Sequence, residues 1–226
     1  PVRNGWFMAT GRFVNNMSVA LFGGTFNPVH LGHLRIAVEL AELLEVEQLR
    51  MVPCSLPPHR EALSVSAEQR MAMLKIAVAD YPQLVADDIE LQRGGTTYTI
   101  DTLRQIRQQI GSATPLYFCI GIDALINLDS WQEWQQLCDY CHLVISARPD
   151  YVLPSSGALT DWINQHRCND LPQLKQCSAG KLYFCDSTRL AISSTDIRDK
   201  IKRGNGIDFL TPAAIVNYIH QQNLYE

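Results

Sequence analysis

The chain has 226 residues, enough for one large domain or, less readily, two small ones. With 46% hydrophobic and 19% charged residues it can bury a substantial core, and a formal charge of −4 argues against a dedicated nucleic-acid binder. That balance still admits a local basic pocket for a small phosphorylated ligand. No run of about 18 apolar residues occurs, so no membrane partner is expected.

The opening PVRNGWFMATGRFVNN carries two Arg, no acid and no apolar h-region. Residues 1–16 therefore read as a loose extension or expression remnant ahead of one domain at 17–226. Seven cysteines (Cys54, Cys119, Cys138, Cys141, Cys168, Cys177 and Cys185) are an odd number, and several lie inside apolar runs such as LYFCIGI. There Cys acts as a small hydrophobe, which predicts a reducing, cytoplasmic setting.

In chain order, VALF (19–22) predicts a buried strand and is followed by a helix from about Pro28 to Glu45. QLRMVP (48–53) predicts a second strand, CSLPPHREALS a loop, and Ala67 to Asp80 a helix. LVADDIEL reads as a strand, TTYTIDTLRQIRQQI opens a helix, and PLYFCIG (115–121) is the clearest central strand. SWQEWQQLCDYC is a helical stretch before the strand HLVISA; KLYFCDS adds one more strand. Helices at about 194–203 and 212–222 close the chain. Residues 150–180 contain Pro, Ser and Asn, break the alternation and read as a surface excursion. Continuous apolar strands alternating with helices predict an α/β, doubly wound, mostly parallel sheet with C-terminal helices.

The stretch VALFGGTFNPVHLGHLR (19–35) is the most informative. Gly23 and Gly24 follow the strand directly, where a ligand or backbone must come close and a positive φ is open to them. Asn27 is a good N-cap and Pro28 suits the first helical position. His30 and His33 then lie in the first turns on one face, where helix amides and imidazole N–H groups converge on an anion. Gly32 between them keeps that approach open. A lone His near a helix start is usually solvated or packed. A metal site needs further ligands, and the sequence marks none nearby. The turn is neither a Walker A loop nor a GxGxxG fingerprint. Phosphate contact is the best local reading.

GGTFNPVHLGH, with its HxGH element from His30 to His33, resembles the signature of the nucleotidylyltransferase superfamily. ISSTDIR (192–198) resembles that superfamily's ISSTxxR motif, although Ser and Thr there also suit plain helix capping. In the middle of the chain PPHR (57–60), TYT (97–99), GIDAL (121–125), SW (130–131) and ARP (147–149) resemble bacterial nicotinate-nucleotide adenylyltransferases. The resemblance runs from about Ser18 to Tyr225. Asn27 stands where that family often has Asp.

The resemblance implies a Rossmann-like fold, with ATP and nicotinate mononucleotide as binding partners. The implied reaction is adenylyl transfer giving deamido-NAD and pyrophosphate, a step of NAD biosynthesis. Mg²⁺ would be held mainly by substrate phosphates. It also implies roles. His30, His33 and Arg198 would act on the ATP phosphates. Gly23, Gly24, Thr25 and Phe26 would line the nucleotide groove, and Gly121, Asp123, Ser193, Ser194 and Thr195 would frame ribose and adenine. His59, Arg60 and Arg148 would meet phosphate groups, while Thr99 and Trp131 would hold the nicotinate, with Thr97 and Trp134 as neighbours able to substitute.

The acceptor phosphate already carries a nucleophilic oxygen, so in-line displacement needs no Ser or Cys nucleophile and no general base. Runner-up acceptors are nicotinamide mononucleotide and phosphopantetheine. A non-enzymatic nucleotide sensor is a further alternative. CDYCH (138–142) matches C-x-x-C-H haem attachment, and Cys138 with Cys141 could serve half of a zinc site. The sequence carries no signal for oligomeric state.

Overall fold

The computed structural model describes residues 18–55, 65–147, 153, 155–188 and 190–226. Six strands form one sheet: β1 (Val19–Gly24), β2 (Leu49–Pro53), β3 (Leu84–Ala86), β4 (Leu116–Gly121), β5 (His142–Ala147) and β6 (Leu182–Asp186). Their order is β3-β2-β1-β4-β5-β6 and every pairing is parallel. The expected doubly wound architecture is therefore present. β4 and β5 have five consecutive buried residues each, as strands covered on both faces require.

Side-chain alternation splits the core between the two faces. Ala20 and Phe22 of β1 face one side, with α1 (Leu31–Leu44), α2 (Ala67–Val78) and the C-terminal helices. Leu21 faces the other, with Leu103 and Ile106 of α4 (Thr99–Ile110). Between α2 and α4, LVADDIEL divides. Only Leu84–Ala86 is strand, and Ile89–Arg93 forms the short α3, because Asp87 and Asp88 favour a turn and helix start over continued pairing.

Of the stretch 150–180, read as a surface excursion, the described residues 155–180 are not one. Strands that neighbour in parallel need a crossover, and α7 (Ala158–His166) with α8 (Leu171–Leu174) supplies it between β5 and β6. Leu159, Trp162 and Ile163, at helical spacing, are buried, and the Trp162 indole N–H donates to Gln135 O at 3.1 Å. The stretch read as helical at 130–141 is two 3₁₀ turns, at Leu128–Ser130 and Trp134–Gln136, leading to the single-turn α6 (Leu137–Tyr140). The remaining helices are α5 (Ile122–Ile126), α9 (Ser194–Lys202) and α10 (Ala213–Gln221). Among the described residues no helix is long and apolar enough to cross a membrane.

From β1 the chain winds outward one way through β2 and β3, and the other way through β4, β5 and β6. Pairing of β1 with β2 runs to Gly24–Pro53, but pairing with β4 stops at Phe22–Cys119. The carboxyl ends of β1 and β4 thus part at the reversal point, where open α/β sheets form a binding crevice.

Candidate active site

The turn after β1 is built differently from the simplest reading of its residues. Helix α1 starts at Leu31, and its N-cap is His30 (φ −144°, ψ 170°) instead of Asn27. Pro28 is in the approach to the helix and not in its first turn, and the Asn27–Pro28 bond is cis. His30 Nδ1 accepts the backbone N–H of His33 and His33 Nδ1 accepts that of His30, both at 3.3 Å. The rings stack with centroids 3.6 Å apart. This reciprocal cap satisfies two helix-end donors, as Ser and Glu do in a capping box.

The cap also assigns the protons. Each Nδ1 is an acceptor, so a neutral ring carries its hydrogen on Nε2. Burial lowers His30 to about 4. Burial, and then the charge of His30, hold His33 well below the usual histidine range. At neutral pH both rings are uncharged Nε2–H donors.

The glycines make room for rings. A Cβ on Gly32 would lie 3.0 Å from His30 Nδ1, one on Gly23 2.8 Å from Phe118 Cζ, and one on Gly24 2.8 Å from Phe26 Cζ. None of the three has positive φ; in this turn that conformation belongs to Phe26 (φ 47°). Phe26 is 1% exposed and packs edge-on against Phe22 and His33, so only its backbone is left for a ligand.

Four side chains from the far end of the sequence hold this turn. Arg198 Nη1 donates to Asn27 O at 2.8 Å, Ser194 Oγ to Pro28 O at 2.9 Å, and Thr211 Oγ1 to Val29 O at 2.8 Å. The Tyr225 hydroxyl donates to Asn27 Oδ1. Ser193 caps α9 through Asp196 N–H, and Thr195 Oγ1 accepts from Arg198 Nη2. The two motifs are therefore joined in space. Arg198 uses two of its five donors here, which leaves others for a ligand.

Beside this turn a cleft of about 630 Å³ opens at the β1–β4 crevice. Gly23, Gly24 and Thr25 line one wall, and Thr97, Tyr98 and Thr99 another. Trp131 and Asp123 complete it from the segment after β4. Thr99 opens α4 as its first helical residue, with Tyr98 as the N-cap. Trp131 is half-buried against the cleft, while Trp134 packs edge-on against Trp162; the geometry separates the two indoles. Thr97 is buried and its hydroxyl has no partner among the described residues. Gly121 is the N-cap of α5, with open space where a Cβ would point.

His30, His33, Arg198 and Ser193–Thr195 do not line the cleft; Ser194 and Arg198 bind the Pro28 and Asn27 carbonyls of the turn whose Gly23–Thr25 residues do. His59, Arg60 and Arg148 lie outside the described residues. Sequence reasoning missed Arg70 of α2. It is 1% exposed and donates from Nη1 to Thr25 O and from Nη2 to Ser55 O, both at 2.9 Å, tying the ends of β1 and β2 together. Nothing distinguishes it from a solvated helix arginine in a single sequence.

The C-x-x-C-H stretch is core. Cys141 and His142 are 0% exposed, His142 Nε2 is 2.8 Å from Cys177 O, and its Nδ1 accepts from Lys181 N–H. Cys138 is buried as well, so haem attachment has no exposed thiol to use.

The profile of the cytidylyltransferase-like family matches residues 21–200. A protein of Chromohalobacter salexigens, named probable nicotinate-nucleotide adenylyltransferase, is 43% identical over 92% of this chain and 95% of its own. One of Pseudomonas aeruginosa with the same name is 42% identical over 92% of this chain and 96% of its own. The structure is similar to that of Plasmodium falciparum nicotinic acid mononucleotide adenylyltransferase complexed with NaAD. The TM-score is 0.72 at 19% identity, covering 92% of this chain and 97% of that one; such a likeness speaks for the fold. With the HxGH turn, the ISSTDIR helix and the crevice between β1 and β4 in place, the chain belongs to the cytidylyltransferase-like nucleotidyltransferases and, within them, to the nicotinate-nucleotide adenylyltransferase family.

Proposed function

We propose that the chain transfers the adenylyl group of ATP to nicotinate mononucleotide, giving deamido-NAD and pyrophosphate. The observation that carries this reading is the joining of the two motifs. Arg198 and Ser194 bind the carbonyls of Asn27 and Pro28, which brings a guanidinium to the turn that carries two neutral imidazole donors and whose Gly23–Thr25 residues line the cleft. ATP would lie along the Gly23–Thr25 turn, with its phosphates toward His30, His33 and Arg198. Ser193, Ser194, Thr195, Gly121 and Asp123 would frame its nucleoside. Nicotinate would stack on Trp131 beside Thr99, and His59, Arg60 and Arg148 would serve its phosphate and those of ATP.

An oxygen of the acceptor phosphate attacks the α-phosphorus in line, and the bond to the bridging oxygen of pyrophosphate breaks. His30 and His33 strengthen their hydrogen bonds as charge moves onto the departing oxygens. Because their Nδ1 atoms are held by backbone N–H groups, the donors are fixed in direction before substrate arrives. Mg²⁺ bound to the triphosphate would neutralise part of its charge, held by phosphate oxygens and water. Among the described residues no group of three or more His, Cys, Asp or Glu is placed to hold a metal ion.

The test is pyrophosphate release from ATP with nicotinate mononucleotide, nicotinamide mononucleotide or phosphopantetheine supplied in parallel. The expected result is the highest kcat/KM with nicotinate mononucleotide. An equal or greater value with either other acceptor overturns the substrate assignment.

A further inference from the structure

The cleft has an electrostatic character that the phosphate donors do not explain. Its described lining contains two acids, Glu90 and Asp123, and no Lys, Arg or His. An acceptor phosphate gains nothing from such walls. Asp123 is exposed at the rim, where water screens it, but Glu90 is 7% exposed. A carboxylate buried without a counter-charge is costly.

The surroundings of Glu90 relieve that cost only in part. Its Oε1 accepts the Thr102 hydroxyl at 2.7 Å, and that hydroxyl accepts from Arg93 Nη2 at 2.9 Å. Among the described residues Glu90 has no ion pair and no second side-chain hydrogen bond. Arg93 reaches it only through the threonine. A buried acid and a half-buried indole on one cleft both favour a delocalised cation. The ring of nicotinate mononucleotide is one, because its nitrogen is quaternised by the bond to ribose.

We propose that Glu90 is the counter-charge of the pyridinium ring, with Trp131 against the ring face, and that this pair selects the oxidised, cationic ring over a neutral one. The assignment rests on the adenylyl-transfer reading above and makes Glu90 a specificity-determining residue. It gives the cleft a division of labour: acid and indole for the ring, imidazole and guanidinium for the phosphates.

The experiment compares nicotinate mononucleotide with its 1,4-dihydro form, which keeps ribose, phosphate and carboxylate but has an uncharged ring. Glu90→Gln deletes the charge and keeps an oxygen to accept from Thr102. In the variant, KM for the oxidised acceptor is expected to rise about tenfold. KM for the dihydro acceptor and for ATP should stay unchanged. An equal rise for both acceptors would show a merely structural role and overturn the proposal. No rise would do the same, and so would a fall, which would place Glu90 against the ring carboxylate. The wild type alone also decides: its KM for the dihydro form should exceed that for the oxidised form by at least about tenfold, and equal values overturn the proposal even if the variant misfolds. Wild-type protein inactive on nicotinate mononucleotide would overturn the adenylyl-transfer reading and this assignment together. An active wild type with unselective acceptor use overturns this assignment alone.

Discussion

The hydroxyl of Tyr225 donates to Asn27 Oδ1 at 2.6 Å, a buried bond between residues 198 apart in the chain. It fixes the side chain of Asn27, whose carbonyl is held by Arg198. Tyr225→Phe leaves that amide oxygen buried and unpaired. The expected cost is about 1–3 kcal/mol in urea unfolding. Turnover should fall as well, because the same turn sets His30. Loss of stability with unchanged turnover would confine Tyr225 to packing.

Gly32→Ala tests the space that the His30 ring occupies. The new Cβ would meet His30 Nδ1 at 3.0 Å, so the imidazole has to give way. Gly32 is the second residue of α1, so Ala there otherwise stabilises by at most about 0.5–1 kcal/mol, the figure for a helix interior. The expected outcome is a melting temperature that barely changes and a kcat that falls at least several-fold. Unchanged kcat would mean that the position of His30 is unimportant.

The pH dependence follows from the buried imidazoles. The unfolded chain protonates its histidines near 6.5, whereas folded His30 waits until about 4. Between those values the unfolded state binds more protons, so stability is full above about pH 7 and falls as pH drops through 6.5 towards 4. The loss from His30 is roughly 3 kcal/mol at most. Thermal melts from pH 7 to 5 should show the fall, and His30→Asn, which keeps a capping oxygen, should reduce it. Turnover should show no rate loss on raising the pH through 6.5. Such a loss would mean that imidazolium, not imidazole, is the working form.

His33→Ala removes one Nε2–H donor and one half of the reciprocal cap. The expected effects are about 1 kcal/mol of stability and at least about a tenfold drop in turnover. Circular dichroism and pyrophosphate release measure the two separately. Normal turnover in the folded variant would remove the catalytic role.

Much of the fold was legible because parallel strands carry continuous apolar runs, as in Leu116–Gly121 and His142–Ala147. The crossover helix α7 was not, because Pro, Ser and Asn around it hid the spacing of Leu159, Trp162 and Ile163. The start of α1 was misread for a chemical reason. Asn is a usual cap and Pro a usual first residue, whereas His serves as a cap here only because a second His, three residues on, completes the bond pair. His30, His33 and Arg198 stood out by motif. Arg70 and Glu90 did not, since their meaning lies in burial and in partners that local spacing does not encode.

The ring of Phe118 occupies the space that a side chain at Gly23 would need, so in the floor of the cleft bulk can be moved but not added. Gly23→Ala alone should cost about 1–3 kcal/mol through overpacking, and adding Phe118→Leu should recover part of it. Two separately harmful changes would then be tolerable as a pair. Across descendants of this chain, positions 23 and 118 are therefore expected to vary together or not at all, an epistatic constraint set by one interatomic gap.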